Sequence, residues 1–175
     1  MEDNFENRVH LATIEPYFVR LDLSTIYPPF LEMSRELLVN LYRRQEDFWA
    51  ISGYRDEDEQ DSLYAQGRTK PGNIVTNARF GSSAHNFGIA IDFCKDKDVA
   101  RAGIQPDWNL EAYRPLAEEA SELDLEAAFW WQHFKEGPHI QLPLERKGIK
   151  LSKLKALYEK GGIKAVWKFL DTIRW

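Results

Sequence analysis

The run Gly88-Ile89-Ala90-Ile91-Asp92-Phe93 places an acidic side chain inside a strongly apolar segment. A short apolar run of this kind, entered from a Gly/Ser/Asn-rich stretch, reads as a buried strand. A carboxylate carried into such a strand is costly unless it meets a strong partner, and a metal ion is one such partner. His85 lies seven residues before Asp92. Positions seven apart on a uniform strand point to opposite faces, so the two side chains converge only if the chain bends between them. Gly88 supplies the freedom to bend.

The stretch ahead of the strand, NARFGSSAHNFG, has no helical or strand period. A long loop in mid-domain, anchored by a core strand, reads as functional. Around it the spacing predicts a helix over 31–48 after a Tyr-Pro-Pro breaker at 27–29, a strand over 48–54, and a helix over 57–66 with an acidic start and Gly67 as its cap. A turn at 70–72, a brief strand at 74–76, a helix over 109–122 and two further strands, one in AAFWW (127–131) and one in HIQL (139–142), complete the core. The expected fold class is α+β: a small antiparallel sheet flanked by helices, forming one domain over residues 1–175, with the site on the sheet.

Beyond residue 144 the character changes. Residues 145–175 carry nine Lys or Arg against three acidic residues, a local charge of +6, although the whole chain of 175 residues is at −5. Leu151, Leu154, Leu157, Tyr158 and then Ile163, Val166, Trp167 and Leu170 share one face, with lysines opposite and Gly161-Gly162 between, which predicts two short amphipathic helices. Two roles are open for them: packing on the domain behind a solvated lysine face, or presenting a cationic surface to an anionic envelope. The acidic overall balance makes nucleic acid a poor default partner. No run of about 18 apolar residues exists to span a membrane, and the start MEDNFENRVH is polar and acidic where a secretory signal would be cationic and then apolar. Synthesis and folding in the cytoplasm are therefore expected. The single cysteine, Cys94, excludes an internal disulfide framework and a multi-cysteine zinc site, and is read as a buried core thiol.

A second cluster, Glu136-Gly137-Pro138-His139-Ile140-Gln141, completes the chemical inventory. Pro138 favours an extended Gly137, so that His139 opens a strand while Glu136 stays on the loop before it. Two His and one Asp with an open fourth position match the ligand arithmetic of a catalytic zinc, and a neighbouring Glu suits the general base. By spacing alone the four residues could equally be unrelated.

SGYRDEDEQDSLYAQGRTKPGNIVTNARFGSSAHNFGIAIDF followed by EGPHIQL resembles the zinc peptidases that cleave peptidoglycan stem peptides, the family of D-alanyl-D-alanine carboxypeptidases and dipeptidases. It is most similar to the branch of L-alanyl-D-glutamate endopeptidases found among phage endolysins. The resemblance covers residues 48–142 and rests on S-x-H-x-x-G-x-A-x-D with a later E-x-P-H. It implies one zinc ion held by His85, Asp92 and His139, Glu136 as general acid/base, and Arg55 steadying the developing oxyanion. It also implies Gln60 and Ser83 as residues that line the site and bind substrate polar groups. The implied activity is hydrolysis of the L-alanyl-D-glutamate bond by a monomeric bacteriolytic lysin that meets the cell wall after release. A D,D-carboxypeptidase or dipeptidase, and a zinc-bearing binding module without turnover, are the alternatives. The branch commonly has a Gly-Gly-x-Trp pattern where this chain has Ala127-Ala128-Phe129-Trp130-Trp131. His133 is read as a structural or supporting residue beside a complete ligand set, and His10 as lying outside the site.

Overall fold

The computed structural model describes residues 14–19 and 21–175; His10 lies outside them. The first helix, α1 (Pro28–Arg43), begins on the proline pair itself. Proline is favoured in a first helical turn, where its missing N–H would find no intrahelical partner in any case. The breaker at 27–29 is thus the helix start. The helix also ends earlier than its periodicity suggests. Gln45 takes a left-handed conformation (φ 60°) and the Glu46 N–H returns to the Leu41 carbonyl at 2.9 Å, a closure usually built on glycine. Residues 44–48 therefore leave the helix, and Phe48 opens β1 (Phe48–Ser52).

Next come α2 (Glu57–Ala65), β2 (Ala90–Asp96), β3 (Pro106–Asp107), α3 (Arg114–Glu122), β4 (Glu126–Ala127) and β5 (His139–Gln141). The strands form one antiparallel sheet in the order β1-β2-β5-β4, with β3 pairing the far end of β2. Ile91 and Phe93 are fully buried in one core with Leu37, Leu41, Leu116 and Ala120 from α1 and α3, while Asp92 occupies the opposite face of β2.

Two expected strands are shorter or absent. Residues 74–76 form no strand, and Ile74 and Val75 are more than half exposed. In AAFWW only Ala127 extends the sheet; Ala128–Trp130 coil into a 3-10 turn that buries Phe129. The 109–122 helix is a 3-10 turn (Leu110–Tyr113) followed directly by α3, which carries Pro115 in its first turn.

The last element, α4 (Leu151–Leu170), is broken at Gly161-Gly162, where Gly162 has φ 65° and ψ −163°, giving the two expected segments. Leu154, Val166 and Leu170 are fully buried. The Trp167 indole N–H donates to the Phe87 carbonyl at 2.9 Å, and the Tyr27 hydroxyl donates to Asp171 at 2.8 Å. The first fastens the basic extension to the His85 turn itself, the second to Tyr27, whose N–H holds the Gly88 carbonyl. Lys153, Lys155, Lys160, Lys164 and Lys168 remain exposed on the outer side.

Candidate active site

Three converging side chains arise from two local devices. The first is the turn before β2. Ala84–Phe87 form a single 3-10 turn, and Gly88 follows at φ 67°. This left-handed residue reverses the seven-residue offset and brings His85 over the face that carries Asp92. Buried Asn86 braces the turn by using its whole amide. Its Oδ1 accepts from Gly81 N (2.9 Å) and Ser83 N (3.3 Å), and its Nδ2 donates to the Arg55 carbonyl (3.0 Å) and Gln60 Oε1 (3.3 Å). The second device is register. Asp92 is paired directly with His139 on β5 and with Ser52 on β1, so the three form one row across the sheet. An irregularity between Ala50 and Ser52 in β1 turns Ser52 onto this face.

His85 Nε2, Asp92 Oδ1 and His139 Nδ1 form a nearly equilateral triangle with sides of 3.1, 3.1 and 3.2 Å. The outer nitrogens fix the tautomers. His85 Nδ1 faces the Gly53 carbonyl at 2.6 Å, and His139 Nε2 faces Gln141 Oε1 at 2.9 Å. Both oxygens only accept, so each outer nitrogen carries the proton and each inner nitrogen presents a lone pair. Two imidazole lone pairs and a carboxylate oxygen pointed at one another repel unless a cation lies among them. Tetrahedral zinc with bonds of about 2.0–2.1 Å needs donor atoms about 3.3–3.4 Å apart, and the observed triangle fits after a small opening. Among the described residues no other group of His, Cys, Asp or Glu converges in this way.

The same three groups govern one another's protonation. Burial alone would raise the Asp92 carboxyl pKa, but the adjacent imidazoles of His85 and His139 outweigh it and hold the group well below the usual carboxylate range. Burial lowers His85. Burial also disfavours the charged form of His139, yet its hydrogen bond and attraction to Asp92 prevail and raise it. A proton taken up on the Asp92 side gives His139 both of its N–H groups, and a metal ion held by the three residues would take that proton's place, while Arg55 stays on the second Asp92 oxygen.

Arg55 leaves the end of β1 with its backbone N–H on the His85 carbonyl at 3.2 Å. Its guanidinium grips Ser52 Oγ (3.0 and 3.3 Å) and the second carboxylate oxygen of Asp92. Glu136 is solvent-exposed on the loop before β5, but the protein on its inner side desolvates it enough to raise its carboxyl pKa, with Asp92 adding to the effect. Glycine is required at position 137, where a Cβ would stand 2.5 Å from the Tyr113 ring. Ser83 is half-buried at the start of the His85 turn, its N–H on Asn86 Oδ1.

Gln60 and His133 lie apart from the converging triangle. Gln60 is fully buried, with Nε2 on the Ala78 carbonyl (2.7 Å) and Oε1 on Asn86. One N–H and its oxygen brace the loop from inside the fold. His133 is exposed and makes no hydrogen bond to any of the three converging residues, so it supports none of them directly. The sequence reading missed Ser52, Asn86, Gln141, Glu126 and Trp131. Only Gln141 had a visible signal, standing two residues after His139 and thus on the same strand face.

The family model of the D-alanyl-D-alanine carboxypeptidases (VanY) matches residues 27–139. The chain belongs to this family. The match begins at Tyr27, the residue before α1, and ends on His139, so it includes every site residue named above except Gln141. Among curated relatives, the peptidoglycan L-alanyl-D-glutamate endopeptidase CwlK of Bacillus subtilis (strain 168) is 45% identical over 106 residues, covering 55% of this chain. The match spans 60% of that relative's length. Among solved structures, the Serratia marcescens L-Ala D-Glu endopeptidase ChiX superposes with a TM-score of 0.51 at 21% identity, over 72% of this chain and 86% of that one. It supports the α+β fold.

Proposed function

We propose that this family member is a zinc-dependent peptidoglycan hydrolase that cleaves the L-alanyl-D-glutamate bond of stem peptides. The observation that carries the bond specificity is the 45% identity to an endopeptidase named for that bond. The metal dependence is supported by the three lone pairs directed at one point. His85, Asp92 and His139 would hold the ion. Bound there, zinc supplies a positive charge that acidifies water and polarises the scissile carbonyl.

The chain's own groups do the rest. Glu136, kept basic enough by partial desolvation, takes the proton from the attacking water and delivers it to the departing D-glutamyl amine. Arg55, held in place by Ser52 and Asp92, directs its remaining donors at the oxygen that gains charge. Ser83 contacts substrate polar groups. Residues 1–175 act as one domain whose C-terminal extension braces the His85 turn, and the enzyme works as a monomer. Among the described residues no helix is long and apolar enough to cross a membrane. A lytic role follows the resemblance to the endolysin branch, in which such an enzyme made in the cytoplasm meets the wall once the membrane is breached.

Digestion of purified sacculi and defined muropeptides, with mass analysis of the new termini, tests the reading. New N-terminal D-glutamate is expected. Release of free D-alanine would replace it with the D,D-carboxypeptidase activity named for the family, and no product at all would leave a binding module. Zinc retention should be lost in His85→Ala, Asp92→Ala and His139→Ala. Full occupancy in the Asp92 variant would remove it from the ligand set.

A further inference from the structure

We infer that Glu126 and Gln141 are positioning residues that lock His139 in the tautomer able to present Nδ1 to a metal; this rests on the zinc reading above. Gln141 lies two residues beyond His139 on β5, so both side chains share a face, and Glu126 on β4 is its direct partner in register. The His139 Nε2–H donates to Gln141 Oε1 at 2.9 Å. An amide can turn over, however, and a reversed Gln141 would offer an N–H to His139 instead. His139 would then have to accept on Nε2 and carry its proton on Nδ1, where the lone pair for the ion is needed.

What forbids the reversal is Glu126. Its Oε1 only accepts, and it takes the Gln141 Nε2–H at 3.3 Å. The same oxygen takes the Trp131 indole N–H at 2.8 Å, and the Trp131 ring stands 5.4 Å from the His139 ring. The chain of polarity therefore has one solution: carboxylate, amide, imidazole, each link setting the next. His85 needs no such device, because its outer nitrogen meets the backbone carbonyl of Gly53, which cannot turn over. Outer partners of this kind typically change metal affinity about 10–100-fold when removed.

The experiment compares the wild-type chain with Gln141→Leu, Glu126→Leu and Glu126→Gln, each first shown to fold by its circular dichroism. Zinc affinity is measured by competition with a chelator. The imidazole tautomers of the metal-free proteins are read from long-range 15N–1H spectra. Gln141→Leu should weaken zinc about 10–100-fold and abolish the preference for the Nε2–H form of His139. Glu126→Leu should shift both readouts in the same direction. Glu126→Gln, whose amide oxygen the Trp131 indole N–H would keep facing Gln141, should return to within about 3-fold of wild type. Unchanged affinity and tautomer in Gln141→Leu overturn the inference, as does a loss of urea stability with zinc binding intact. If Gln141→Leu fails to fold, the two Glu126 variants decide by the same criteria. Failure of the zinc reading looks different: the wild-type chain would bind no stoichiometric zinc, or His139→Ala would keep it.

Discussion

Gly88→Ala and Gly148→Ala form a matched pair that isolates the turn on which the site depends. Both glycines have φ near +67°, so both variants meet the same left-handed penalty of about 1–2 kcal/mol, partly offset by a stiffer unfolded chain. Their surroundings differ. A Cβ at position 148 meets nothing within 4 Å, whereas at position 88 it stands 2.3 Å from the Thr25 carbonyl oxygen and 3.3 Å from the Trp167 ring. The Thr25 oxygen is backbone and cannot swing away. Relief requires moving the turn, which strains the 2.8 Å bond from Tyr27 N–H to the Gly88 carbonyl. Overpacking of about 1–3 kcal/mol and a weakened hydrogen bond of about 1 kcal/mol add to the shared term. Gly148→Ala should therefore cost about 0–1 kcal/mol and Gly88→Ala about 2–5 kcal/mol. Urea titration of the metal-free proteins by tryptophan fluorescence gives both numbers. Zinc competition should show weaker binding only for Gly88→Ala, since His85 rides on the displaced turn. Equal destabilisation of the two variants would refute the argument that close packing, and not backbone conformation alone, requires glycine here.

Glu136→Gln should keep zinc within about 3-fold while turnover on a defined muropeptide falls about 10²–10⁴-fold; a wild-type rate would remove Glu136 as the proton carrier. Arg55→Lys should lower kcat about 10–100-fold, because one ammonium cannot replace a fork that bridges Ser52 and Asp92, and an unchanged kcat would leave Arg55 without a catalytic role. Burial pushes the Tyr113 phenol up to about 12, above the ordinary value near 10. The folded state thus holds its proton more tightly: this stabilisation is complete below about pH 10 and is lost as pH rises towards 12, on the order of 2 kcal/mol. Urea midpoints should fall across that window and fall less in Tyr113→Phe; parallel curves would refute the assignment. Exchanging Lys153, Lys160, Lys164 and Lys168 for Gln should leave activity on muropeptides and on sacculi equal at low salt, since Leu154, Val166, Leu170 and Trp167 make the packing contacts. A loss on sacculi alone, fading with salt, would show that the cationic face guides the enzyme to its substrate.

The chemistry-bearing residues were legible in the chain because their environment makes them anomalous. Asp92 in an apolar strand calls for a partner, Gly88 allows the bend that supplies His85, and Pro138 marks where β5 opens on His139. Those are local constraints, written within a few residues. Gly161-Gly162 likewise announced the break in α4. Three things were settled only by tertiary contact. Helix α1 stops at Arg43 through a left-handed Gln45, a conformation no residue in the segment advertises, because the antiparallel pairing of β1 with β2 claims Phe48. Gln60 is part of the loop brace, since its depth comes from the packing of α2 against residues 78–86. The tautomer of His139 is decided by Glu126 and Trp131, 13 and 8 residues away in sequence, because strand register alone brings a carboxylate opposite Gln141. Local periodicity and charge determine which residues must be paired; the sheet decides with whom, since cross-strand neighbours are set by folding the whole chain and leave no trace in spacing.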